Sequence, residues 1–69
     1  MARIIWNQPA NPSKYVSDRL GVELWQLGAA IHEIKAAGNL RAADRVIIYD
    51  DGTVTDEHGE HLGNVYDEL

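Results

Sequence analysis

Between Leu24 and Tyr49 the apolar residues change their spacing once, and that change decides the fold class. Leu24, Leu27, Ile31 and Ile34 recur at intervals of 3, 4 and 3, the stripe that a helix lays against a core. Trp25 and Ala29 are expected to widen the stripe, while Ala30, Ala36 and Ala37 add intrinsic helix propensity. Glu23 in the first turn and Lys35 in the last match the helix dipole, and Gly38-Asn39 ends the run. After a connector over residues 40–44 the period falls to 2. Arg45-Val46-Ile47-Ile48-Tyr49 is apolar nearly throughout, as expected of an interior strand. Asp51-Gly52 predicts a two-residue hairpin turn in which both residues take positive φ. Thr53-Val54-Thr55 is then the returning strand, residues 57–60 a second reversal, and residues 61–66 a third strand.

Upstream, Ala2-Arg3-Ile4-Ile5-Trp6 reads as a short strand that stops before Pro9 and Pro12, which cannot donate to a ladder. A first helix is capped by Asn11 or Ser13 and turns Tyr15, Val16 and Leu20 inward, with Lys14, Asp18 and Arg19 toward water. Gly21 terminates it in the left-handed conformation. The expected architecture is α+β over residues 1–69 as one domain. A short N-terminal strand leads into a two-helix hairpin and a three-stranded antiparallel meander.

Sixty-nine residues form one small core, since a chain of this size hides only about 60% of its unfolded surface. With no cysteine there is neither a disulfide nor a thiolate zinc site, nor a thiol nucleophile. Six Lys and Arg against eleven Asp and Glu give a formal charge of −5, which argues against a general phosphate-binding surface. No apolar run approaches the roughly 20 residues of a membrane span, and no signal-peptide pattern opens the chain, so a cytoplasmic protein without membrane contact is expected.

Few constellations can carry chemistry. His32 and Lys35 stand three apart on the second helix, and Gly28 leaves the backbone open one turn before the imidazole. A histidine near its ordinary pKa can serve as general base while an ammonium holds a phosphate, which is what metal-independent RNA cleavage needs. The plainer alternative is a histidine flanking the core between solvated charges. Asp56, His58, Glu60 and His61 include metal-ligand types, but a turn does not hold His58 and His61 on one face, so turn formation is the reading adopted. Asp50-Asp51-Gly52 lacks the alternating ligands and closing glutamate of a calcium loop. Nucleotide-binding glycine motifs and a serine nucleophile elbow are absent, and neither cofactor nor metal is expected. The run from Val16 to Leu27 has the helix–glycine–helix outline of a helix-turn-helix, with the Asp51-Gly52 hairpin as a wing. Glu23 and the acidic wing tip, however, stand where phosphates would lie, so duplex DNA is not an expected partner.

Over the last forty residues the sequence resembles a known group. Ile31-His32-Glu33-Ile34-Lys35, Asp44-Arg45-Val46-Ile47-Ile48, Asp51-Gly52-Thr53-Val54 and Gly59-Glu60-His61-Leu62-Gly63-Asn64, closing on Tyr66-Asp67-Glu68, resemble terminal toxin domains of bacterial polymorphic toxins of the Rhs and contact-dependent-inhibition kinds. The resemblance implies a small metal-independent ribonuclease with helices packed on an antiparallel sheet, an RNA substrate and an immunity-protein partner. It implies His32 and Lys35 on the helix, with Arg45 and His61 at the sheet, as catalytic residues.

Three function classes follow. One is an RNA-directed, toxin-like domain with His32 as base and Lys35 and Arg45 on the scissile phosphate. The second is a non-catalytic acidic module that meets a basic protein partner. The third is a winged-helix DNA binder, disfavoured by charge. A core this small, with Trp6 and Trp25, is also compatible with a homodimer that finishes its core at an interface.

Overall fold

The computed structural model describes residues 2–69. Its elements run β1 (Ile4–Gln8), α1 (Lys14–Leu20), α2 (Leu24–Ala37), β2 (Val46–Tyr49), β3 (Thr53–Asp56), β4 (His61–Asn64) and a closing 3₁₀ turn, η1 (Val65–Glu68). The α+β expectation holds, with one enlargement. The N-terminal strand joins the meander, so the sheet has four strands in the order β1-β2-β3-β4, every neighbour antiparallel. β2 is therefore interior, as its apolar run requires.

Strand alternation assigns the two faces of this sheet. Trp6, Ile48, Val54 and Gly63 lie in one row, facing the helices with Val46 beside them. Asn7, Ile47, Thr55 and His61 form the next row, on the opposite face. Ile47 is buried there although it lies outside the core cluster. In the same row the Thr55 hydroxyl is buried with no hydrogen-bond partner.

Both helices pack with a phase that differs in part from the sequence expectation. In α1 the inward residues are Val16, Ser17 and Leu20, while Tyr15 is 57% exposed. Ser17 tolerates burial because its hydroxyl donates to the Lys14 carbonyl at 2.9 Å. Gly21 ends the helix at φ 71°, as expected, and Ser13 occupies the N-cap. In α2 the inward residues are Leu27, Ala30, Ile31, Ile34 and Lys35. Trp25 and Ala29 do not widen the stripe. At 100° per residue both sit about 160° around the helix from Leu27, so the face that buries Leu27 turns them into water. Leu24 keeps the phase, but as the first helical residue it has neighbours on one side only and is 47% exposed. Glu23 precedes the helix as its N-cap rather than entering the first turn, and its backbone N–H donates to Gln26 Oε1 at 3.0 Å.

Two further boundaries move. The β2–β3 connection is a three-residue loop, residues 50–52, closed by Gly52 N–H donating to the Tyr49 carbonyl at 3.0 Å. Gly52 alone takes positive φ, at 90°; Asp51 does not, so the expected two-residue turn gives way to a turn followed by one left-handed residue. The last strand stops at Asn64 rather than Tyr66. Val65 N–H still donates to the Gly52 carbonyl at 2.8 Å, the last bond of the ladder beside the Thr53–Asn64 pair. The Asn64 side chain then accepts the Tyr66 N–H at 2.9 Å, which caps the 3₁₀ turn that leaves the sheet.

The loop carries a testable acid dependence. Asp51 Oδ1 accepts the Thr53 N–H at 2.9 Å. That bond, with the Thr53 hydroxyl in support, holds the Asp51 carboxyl below its ordinary value of 3.8. The folded chain therefore binds this proton less readily than the unfolded chain. Its contribution is present above the ordinary value and is lost as pH falls through the lower folded value. Melting temperature followed from about pH 5 to pH 2 should fall less steeply for Asp51→Asn, whose amide oxygen still accepts but does not titrate. Superimposable acid limbs for the two proteins would remove Asp51 from the account.

Candidate functional site

The four residues singled out in the sequence are spread over the molecule. His32 is exposed near the middle of α2. Lys35, three residues on, is 6% exposed and its Nζ donates to the Ala42 carbonyl at 2.8 Å. Its ammonium thus pins the 40–44 connector to the helix and is not presented beside the imidazole. Arg45 is exposed immediately before β2, and His61 is exposed at the start of β4, opposite Thr55. Among the described residues no hydrogen bond or ion pair joins any two of the four.

Arg45 instead contributes to an open cleft of about 420 Å³. The cleft is lined by apolar Pro9, Leu40 and Ala43 and by Asp44, Arg45, Asp56, Glu57 and His58. Much of that polar set is already engaged in local structure. Asp44 Oδ2 accepts the Arg41 N–H at 2.8 Å, and Asp56 Oδ1 accepts the N–H groups of His58 and Glu60, each at 2.9 Å. His58 Nε2 lies 3.6 Å from Glu57 Oε1 on an exposed turn. Three carboxylates against one guanidinium give this cleft a negative balance, and five charged or titratable residues out of eight make it unlike the mostly apolar sites that enclose small molecules. Among the described residues, no group of three or more His, Asp and Glu side chains is placed to hold a metal ion.

The surface with the clearest physical cost lies elsewhere. Trp25 is 72% exposed, and Leu24, Leu69 and Tyr66 are each close to half exposed. Trp25, Gln26 and Ala29 on α2 and Glu68 and Leu69 after the sheet together line a hollow of about 150 Å³. Two contacts fix the second wall. The Tyr66 hydroxyl donates to the Leu20 carbonyl at 2.5 Å, and Asn64 caps η1 through the Tyr66 N–H. Helix periodicity adds Gly28, His32 and Ala36 to the outward side of α2, all of them exposed. Lys35 is the only cation in α2 and is buried, so the outward surface of this helix carries no Lys or Arg. The sequence held the signal for this face in the 100° arithmetic that separates Trp25 from Leu27. The proximity of Leu69 was not readable, because it depends on the chain leaving the sheet at Val65.

No helix among the described residues is long and apolar enough to cross a membrane. Compared with known proteins, the chain matches no family model, no curated protein and no solved structure.

Proposed function

We propose that this chain is a non-catalytic interaction module that docks on a basic protein partner. The observation that carries the reading is the meeting of Trp25 and Leu69 in one hollow beside the start of α2, both exposed, on a chain of net charge −5. Leaving a tryptophan nearly three-quarters exposed forgoes burial that a small domain needs, and exposed aromatic anchors are the residue type that dominates protein interfaces. The acidic balance repels phosphates and favours cationic protein surface.

Ribonuclease chemistry is the competing proposal. It needs a cation beside the His32 imidazole, and the nearest helical candidate, Lys35, is held under the connector by Ala42. Duplex DNA is disfavoured on the same ground, since a recognition helix without an exposed Lys or Arg has nothing to place on the phosphate backbone.

Two measurements test the reading. Folded wild-type protein incubated with bulk RNA should leave it intact, and His32→Ala should be indistinguishable from wild type. Affinity capture from cells that naturally make the chain should recover proteins of high isoelectric point, released by about 0.5 M salt. RNA cleavage that disappears in folded His32→Ala would replace this proposal with the ribonuclease, and a captured set without basic proteins would end it.

A further inference from the structure

We infer that the hollow between α2 and η1 is a socket for one apolar side chain carried on a cationic helical segment of another protein. This rests on the interaction-module reading and adds the place and the chemistry of the partner. At about 150 Å³ the hollow is smaller than the roughly 300–1,000 Å³ of small-molecule sites, but it has room for a single aliphatic side chain. Its walls are the Trp25 indole, the Ala29 methyl and Leu69, and the absence of bulk at Gly28 and Ala29 lets a second helix approach α2 closely.

Charge selects the occupant. Glu68 lines the hollow itself. Asp67 precedes it, Glu23 precedes Leu24 at one end, and Glu33 lies one turn beyond Ala29 at the other, all four exposed. No Lys or Arg lines the hollow, and Arg19, at the end of α1, lies 3.8 Å from Asp50 instead. An apolar centre with Glu68 and Gln26 in its lining, and with no Lys or Arg, complements a helix that presents one aliphatic residue between lysines or arginines. A second copy of this chain is the poorer occupant. A two-fold contact sets the same patch against itself and would bring Glu68 and its acidic neighbours against their own copies.

The probe is a synthetic helix-forming peptide with one leucine row bordered by lysines, titrated into isotopically labelled protein. Its controls replace the leucines by serine or the lysines by glutamate. Trp25→Phe assigns the two indole N–H signals. The lysine–leucine peptide should shift the Trp25 indole and the Ala29 and Leu69 amides while leaving the Trp6 indole in place, and either control should abolish the effect. Trp25→Ala should weaken binding at least tenfold, and Glu68→Gln should weaken it less and flatten its salt dependence. Trp25 and Glu68 are exposed, so both variants should keep the parent's amide spectrum away from the site. Shifts that map to the Arg45 cleft or the open sheet face, or an affinity indifferent to Trp25→Ala, would overturn the socket while leaving the module reading intact. Absence of binding would overturn it too. Concentration-dependent shifts of the same residues without peptide would assign the face to a second copy and overturn the cationic partner.

Discussion

Replacing Gly52 by alanine should destabilise the domain by about 3 kcal/mol or more, lowering its melting temperature by about 15 °C. A methyl on Gly52 would sit 2.7 Å from Asn64 Oδ1 and 2.7 Å from Tyr66 Cδ2, well inside contact distance. Neither neighbour is free to move. Asn64 Oδ1 accepts the Tyr66 N–H, and the Tyr66 hydroxyl is tied to the Leu20 carbonyl, so the ring is held at both ends. The backbone adds its own penalty, because φ of 90° is unfavourable for any residue with a Cβ. Total stability for 69 residues is on the order of 3–10 kcal/mol, so the variant should lose about a third of it or more. Valine should do worse, as a β-branched residue resists positive φ more strongly. Thermal melts read by circular dichroism decide the matter, and an alanine variant melting within a few degrees of the parent would show that the Asn64–Tyr66 clamp yields.

The second large effect is expected at Ile34. Its side chain is 1% exposed and packs on the sheet where Gly63 leaves space, three of its carbons lying 3.4–3.7 Å from where a Gly63 Cβ would be. Ile34→Ala opens a cavity between α2 and β4 that a glycine cannot collapse to fill, and should cost about 2–5 kcal/mol. Leu24→Ala, a half-exposed position in the same sequence stripe, should cost less than about 1 kcal/mol. Denaturant titration of the two variants therefore tests the phase of α2 directly. Equal losses would mean that the helix is rotated from the arrangement described.

Elements governed by local periodicity and turn chemistry were legible from residues alone. The 3, 4, 3 spacing located α2, Gly21 ended α1, and the apolar run located β2 in the sheet interior. What escaped was set by partners distant in sequence. Ala2 to Trp6 read as a strand, but its place beside β2 depends on pairing Ile4 with Tyr49 and Gln8 with Val46. Tyr66 read as the end of the last strand, whereas Asn64 capping through the Tyr66 N–H starts a 3₁₀ turn at Val65. For the candidate site the limit was different in kind. Helix spacing put His32 and Lys35 on adjacent positions of one surface, but spacing does not tell which flank a connector will cover. The Ala42 carbonyl took the ammonium, and the imidazole stayed outside.

The pairing of β1 with β2 also shapes how the molecule assembles. Strands β2, β3 and β4 follow one another through short reversals, so their ladders close tight loops, but β1 reaches Tyr49 only after some forty residues have been drawn into a ring. That ring contains both helices, and docking them on the meander shortens the span still to be closed. The first strand in the chain should therefore be the last to pair in folding. Until it arrives, the most apolar strand of the protein presents one unpaired edge to its surroundings. In the growing chain, the interval between synthesis of Tyr49 and the return of Ile4 is the period of greatest exposure to wrong strand partners.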